Sequence, residues 1–432
     1  MRIRQALYGL LATILAILVV RSGWIGAVRG RPQTEISFWN GFTGPDGRVM
    51  LELIRRFNRE NPDLKVSMQR IAWGTYYNKL MVAAVNGRGP HVFVIHASAL
   101  PRMHRAGFLE PMDSLYREGG VPEEDFEPIV LRTTEFDGHR VGVPLDIHPQ
   151  GLYCNTDMLR EAGIVDERGR PKPPTNREEF LRAASLMMHP RGAANPDRYG
   201  FALTHWQNNY QSVFPQFGGR YLDERGNADL DNPGNVEALE FLGRLRTEKR
   251  LIPPPDNQLG WIGFRQKKVG MVFDGVYMLG DLKRLEGLHY VGAPMPVLGH
   301  KPGTMADSHI LCMRKGLSER ERDGVARFIR FLSENSLDWA EAGQVPARRS
   351  VRNTDRFRSM QVQYAFSKQI PYMVYPPRIV PLFEMGLEIN LAVERVIRGR
   401  MGAKESLRIA DENAQKAIDR DRAESQAPGG GR

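Results

Sequence analysis

Between residues 35 and 95 the chain alternates strand-like and helix-like segments, and this alternation limits its possible folds more than any other feature. Glu35-Ile36-Ser37-Phe38-Trp39 alternates polar and apolar residues with the period of a strand. A loop carrying Gly41, Gly44 and Gly47 leads to a helical stretch over 48–59, in which Met50, Ile54 and Phe57 share a face and Asn61-Pro62 ends the pattern. Residues 65–70 read as a second strand, 76–86 as a helix, and Val92-Phe93-Val94-Ile95 as the short apolar run of a buried parallel strand. This order is the start of a doubly wound α/β domain, whose ligands sit beyond the carboxyl ends of the strands. Here those ends are Trp39 and Asn40, residues 71–77, and His96.

One such domain does not account for 432 residues. Single cores stop growing at about 250 to 300 residues, so two lobes are expected. The crossing between them is read at 141–155. Pro144 and Pro149 disfavour a helix there, and Asp146 and His148 are polar residues at its turn. A ligand held between two lobes would meet these side chains.

Beyond the crossing, Thr175-Asn176-Arg177-Glu178 reads as a capping box, and Phe180, Ala184 and Met187 share the face of the helix it opens. Asn232-Pro233 reads as a cap with proline at the first helical position. Pro253-Pro254-Pro255 is a stiff connector, and 269–273 is another buried strand ending at Asp274-Gly275. Helices are expected within 327–332, 337–342, 379–398 and 403–422, followed by a disordered tail over 423–432.

At the N-terminus, Arg2 and Arg4 precede an apolar run over 6–20 that Arg21 breaks. At about 15 residues the run is shorter than the roughly 20 of a spanning helix, which favours an export signal over 1–30, with an uncleaved anchor as the alternative. No cysteine stands directly after the run, so there is no thiol there for a lipoprotein acyl chain. Only Cys154 and Cys312 are present, both in short apolar runs as buried thiols usually are.

Composition and motifs exclude several functions. The net charge is +10, but the Lys and Arg residues are scattered, without a basic helix carrying interleaved aromatics, so no nucleic-acid partner is expected. The Gly41 loop has neither the dinucleotide spacing nor a Walker Lys. His96, His148, His205 and His309 lack the spacing of a local metal cluster, so neither metal nor cofactor is expected, and a zinc site would need residues from distant segments. No catalytic motif is present. Aromatics near strand ends or turns are the better signal: Trp39, Tyr76, Tyr77, Trp206, Tyr210, Trp261 and Tyr277. A flat ring offers its face to the C–H side of a sugar while Asp, Asn, His or Arg binds the hydroxyls.

Several segments, in order along the chain, resemble the extracellular solute-binding proteins of the carbohydrate uptake type, receptors of ATP-binding-cassette (ABC) importers akin to maltose-binding and glycerol-phosphate-binding proteins. They include Phe38-Trp39-Asn40, Phe57-Asn58-Arg59-Glu60-Asn61-Pro62, Ala106-Gly107-Phe108-Leu109-Glu110-Pro111, Val143-Pro144-Leu145-Asp146, Phe217-Gly218-Gly219, Lys268-Val269-Gly270-Met271 and Ala342-Gly343-Gln344-Val345-Pro346-Ala347-Arg348. The resemblance implies a two-lobed, periplasmic-binding-protein-like α/β fold of type II, with mixed sheets flanked by helices and discontinuous lobes joined by hinge crossovers. The N-terminal lobe would hold 31–146 plus 307–349, and the C-terminal lobe 147–306 plus 350–422. It also implies ligand positions at Trp39, Asn40, Tyr76, Asp146, Gly218, Gly219, Tyr277 and Arg348, to which loop positions add His96, His148, Trp206, Asp274 and His309. The family's hinge pairing would set Cys154 opposite Cys312, close enough for a disulfide.

The expected function is a non-enzymatic, exported, monomeric receptor that closes on a sugar and delivers it to membrane permease subunits. The alternatives are a receptor for a phosphorylated polyol, a secreted glycan-active enzyme, and the ligand-binding subunit of a membrane sensor.

Overall fold

The strand–helix alternation of the first hundred residues builds a sheet whose three leading strands are parallel. Thr34–Asn40 lies between Leu64–Arg70 and Val92–His96. His309–Met313 then joins antiparallel to Val92–His96, and Val143–Pro144 closes the other edge. The computed structural model describes residues 33–117, 120–190, 196–254 and 259–426. The expected export signal or anchor over 1–30, Pro255 of the proline connector and residues 427–432 lie outside these.

Helix Asp46–Glu60 presents Met50, Leu53, Ile54 and Phe57 to this sheet, as its 3.6-residue pattern requires. Helix Glu319–Glu334 covers the same face. Ser318 and Glu321 form a capping box at its start, and Phe328 sits 5.3 Å from Phe38 and 5.1 Å from Phe57, ring centre to ring centre.

The second sheet is organised around one ten-residue strand, Asp146–Asn155, buried along its whole length. It pairs antiparallel with Val345–Pro346, Thr304–Asp307, Tyr290–Ala293 and Val269–Gly275, and Tyr199–Leu203 adds to the last of these in parallel. The sequence reading placed Asp146 and His148 at a turn of this crossing, but both belong to the strand itself. Pro149 is absorbed within the same continuous strand. Phe180, Phe201 and Phe273 form the aromatic centre of this lobe, and helices Pro233–Thr247, Leu382–Ile397 and Ala403–Gln426 enclose it.

The chain crosses between the sheets at Leu145 and returns at Ser308, and the two crossings lie side by side. The Leu145 amide donates to the His309 carbonyl at 2.9 Å, and Asp307 is the register partner of His148. A third pass, at Val345–Pro346, pairs with Asp146 and Ile147. One hydrophobic cluster runs from Ile36 and Phe57 through Ile147 and Ala347 to Val272 and Phe366, so the crossings are buried.

Three expectations are corrected. The cap of helix Arg177–Leu186 is Asn176, which accepts from the Glu179 amide, one residue later than anticipated; Thr175 donates instead to the Glu179 carboxylate. The last helix runs through to Gln426, so residues 423–426 are helical rather than part of a tail. The hinge pairing that the resemblance implied is not formed: the cysteines are the buried free thiols that their apolar runs suggested, and they lie in different sheets, Cys154 paired with Met271 and Val291 and Cys312 with Phe93. Both are fully buried, and burial raises both thiol pKa values. Titration with a thiol reagent should therefore detect no thiol in the native protein and both after denaturation without reductant. Fewer than two in denaturant would restore a bridge.

Candidate functional site

Because the crossings are adjacent, chemistry-bearing residues from distant segments meet between the carboxyl ends of the first sheet and the start of the long strand. Asp146, His148 and Gln150 are alternate residues of that strand and share a face. His309 opens its strand directly opposite His96, so the two imidazoles are cross-strand neighbours.

Asp146 is the centre of this group and has no exposed surface. Its carboxylate accepts from the His309 amide at 2.9 Å, His309 Nδ1 at 2.8 Å and Trp339 Nε1 at 2.7 Å, and lies 3.4 Å from His148 Nδ1. Burial opposes ionisation of Asp146, yet the His309 and His148 rings hold its pKa well below the carboxylate range. Burial likewise opposes the His309 cation, but the Asp146 charge and hydrogen bond raise the His309 pKa overall. For His96, burial together with its two imidazole neighbours lowers the pKa far below the ordinary value and keeps the ring neutral.

Aromatic faces wall this centre on both sides. The Trp73 indole lies nearly parallel to the His309 ring, 13° and 5.7 Å away, and 4.5 Å from His96. Phe42 packs against both His309 and Trp339. Gly41 makes this possible, because a Cβ there would stand 2.1 Å from the indole. On the opposite lobe Tyr277 folds over Gly275, where a Cβ would stand 1.9 Å from the phenol ring, and Gln150 Nε2 donates to its hydroxyl at 3.3 Å. Tyr77 closes the first side, its hydroxyl against His96 Nδ1.

Several buried polar atoms near the strand ends lack partners among the described residues. They are Asn40 Nδ2, Gln150 Oε1, Asp274 Oδ2 and both side-chain amide atoms of Gln344. Each residue is at most 2% exposed. An unsatisfied buried group costs about 1 to 3 kcal/mol. Such groups gathered beside aromatic faces suit a ligand that brings its own hydroxyls. None of the hydrogen bonds, ion pairs or ring contacts of these side chains, among the described residues, involves lysine or arginine.

The structure sorts the expected site residues. Asn40, His96, Asp146, His148, Asp274, Tyr277 and His309 lie around this region, with Trp39 half-buried at its margin. Tyr76 does not reach it: its hydroxyl donates to the carbonyls of Val94 and Trp39 inside the first lobe. Trp206 packs in the second-lobe core with the Arg398 guanidinium over its ring. Gly218 and Gly219 form the turn against helix Pro233–Thr247, with Asn235 where a Gly219 side chain would go. Arg348 is held by Asp125 at 2.6 Å. Sequence reasoning missed Trp73, Trp339, Gln150 and Gln344. Trp73 lay within the strand-end stretch already marked; nothing local distinguished the other three.

The sequence pattern of the bacterial extracellular solute-binding proteins matches residues 43–334. The sn-glycerol-3-phosphate-binding periplasmic protein UgpB of Agrobacterium fabrum is 26% identical over 336 residues, covering 70% of this chain and 71% of its own. Two solved structures share the fold at 20% identity. An ABC substrate-binding protein of Listeria monocytogenes in complex with cycloalternan superimposes with a TM-score of 0.77, covering 90% of this chain and 99% of its own. The GacH receptor of Streptomyces glaucescens, solved unliganded and with acarbose, gives 0.78 with the same coverage.

The buried pair generates two tests. Asp146→Ala leaves His309 and Trp339 unpaired and should lower the unfolding free energy by about 3 to 5 kcal/mol in urea titrations. The raised His309 pKa makes its contribution complete below the ordinary histidine value and lost as pH rises through the folded value. The depressed Asp146 pKa makes its contribution present above the ordinary carboxylate value and lost only as pH falls to the folded one. The pair is thus at full strength between about pH 4 and about pH 6.5. Stability should decline above that window, and His309→Gln should flatten the decline in unfolding curves taken across pH.

Proposed function

Because the chain belongs to the bacterial extracellular solute-binding proteins, we propose that it is an exported receptor that captures a sugar or oligosaccharide between its lobes and delivers it to the permease of an ABC importer. The observation that carries this reading is the pairing of aromatic faces with unsatisfied buried polar atoms. Trp73 and Tyr277 offer flat apolar surfaces, while Asn40, Gln150, Asp274 and Gln344 offer both donors and acceptors. Sugars present the same two-sided chemistry, with C–H faces and hydroxyl edges. The acarbose and cycloalternan bound by the two structural neighbours are of that class.

Closure supports the same reading. Pro45 of the first lobe approaches Gly280 of the second so nearly that a Cβ on Gly280 would stand 3.0 Å from it. Elsewhere, Arg105 of the first lobe binds Asp421 and Ser425 of the last helix, and the Arg378 guanidinium lies 4.3 Å over Phe136. A closed pair of lobes excludes water and is the shape a permease would recognise. In this reading the lobes divide as 31–146 plus 307–349 and 147–306 plus 350–422, the protein acts as a monomer in the periplasm, and residues 1–30 serve as export signal or inner-membrane tether.

A phosphorylated polyol is the second reading, favoured by the relationship to UgpB. The absence of lysine and arginine from the contacts of the site, among the described residues, weighs against it, since a phosphate needs charge-assisted partners. Thermal shift against mono- and oligosaccharides, sugar phosphates and polyols separates the two. A neutral sugar should raise the melting temperature, with about 2.7 kcal/mol of stabilisation at a hundredfold excess over Kd. Trp73→Ala should weaken that sugar about ten- to a hundredfold, the loss of about 1.5 to 3 kcal/mol of aromatic contact. A response to sugar phosphates alone, weakening steeply with salt, would establish the second reading instead.

A further inference from the structure

The aromatic faces able to receive a solute lie close together. Of the second-lobe aromatics that the sequence placed near strand ends or turns, Trp206, Tyr210 and Trp261 are 3, 1 and 8% exposed and belong to the core clusters. Tyr277 alone of that set stands at the site. A short row of rings joins it to Trp73 on the facing lobe: Trp73 to His309, His309 to His148 and His148 to Tyr277 are 5.7, 4.7 and 6.2 Å apart, centre to centre.

The buried polar atoms without partners among the described residues gather on the same row. Asn40 Oδ1 accepts from the Phe42 amide at 3.1 Å, and Phe42 stands 4.9 Å from His309. Gln150 holds the Tyr277 hydroxyl through Nε2, which leaves Oε1. Asp274 precedes Gly275, the register partner of Gln150, and Gln344 precedes Val345, the register partner of Ile147. Each unpaired atom thus belongs to the row's immediate neighbours.

Both flanks of the row are closed by contact between the lobes. Beside Tyr277, a Cβ on Gly280 would stand 3.0 Å from Pro45, and one on Gly343 would stand 2.9 Å from the Val276 carbonyl oxygen. The loop ahead of helix Asp46–Glu60 and the segment before Val345 therefore abut the turn that carries Tyr277. At the crossings, the Ser98 hydroxyl donates to Asp307 at 2.5 Å, and the hydroxyls of Ser308 and Tyr375 share a hydrogen bond of 2.7 Å. A long saccharide needs a repeated series of ring faces and an opening through which its end can leave. Here the row stops at Trp73 and Tyr277, between flanks that touch.

We propose that the site takes a solute of one or two sugar rings, enclosed at both ends, and discriminates against longer chains. The inference rests on the reading of the protein as a sugar receptor and gives that reading a size class. Each ring beyond the second would have to hold the lobes apart, trading away the contacts at Gly280 and Gly343 without gaining a further aromatic face.

The test titrates the purified full chain calorimetrically with gluco-, galacto- and manno-configured saccharides of one to six rings. Within the series that binds, affinity should be greatest at one or two rings, and the trisaccharide should be about tenfold or more weaker, the loss expected when an enclosed site is overfilled. Small-angle scattering supplies a second readout that needs no variant. The tightest saccharide should leave a radius of gyration matching the closed lobes, and a saturating trisaccharide should enlarge it. A trisaccharide or longer chain that binds as tightly as the shorter members, with the lobes equally closed, would overturn the size class and leave the sugar reading standing. Silence from every length in all three series would overturn the sugar reading, and the size class with it.

Discussion

A single buried carboxylate, that of Asp146, joins the parts of this molecule that sequence separates. It lies where the chain first leaves one sheet for the other, and its partners are the residue that begins the return strand, His309, and an indole from a later helix, Trp339. A lone buried charge would be costly. Here the charge is surrounded by donors, so the three passes between the lobes are held in one register and the rings around them are aimed.

The rest of the site follows from that anchoring. With His309 fixed, Trp73 has a surface to stack on, and Gly41 leaves the room for it. Gly275 does the same for Tyr277 on the facing lobe. Aromatic walls from two sheets thus face a set of buried polar atoms that the protein itself leaves unsatisfied.

Local pattern made much of the fold legible. The first three strands and their helices follow from periods of two and 3.6, and Asn232-Pro233 announced the start of its helix. Partnering was less legible. The helix expected from Tyr76 begins at Trp73, which puts Trp73, Tyr76 and Tyr77 on one face; Tyr76 then points into the sheet while Tyr77 reaches His96. Burial of both thiols was legible from their apolar runs, but the hinge pairing that the resemblance implied for Cys154 and Cys312 was not, because their strands take other partners. The imidazoles share no local spacing because register, not motif, brings His309 opposite His96. Arg348 resembled a family ligand position, but Asp125, a residue no motif marked, occupies its guanidinium.

A crystal structure with the sugar giving the largest thermal shift would test the central account most directly. The account expects a sugar ring against Trp73 or Tyr277, with hydroxyls paired to Asn40 Nδ2, Gln150 Oε1 and Asp274 Oδ2 and the Asp146–His309–Trp339 contacts intact beneath. A sugar bound elsewhere, with those polar atoms still unpaired, would contradict it.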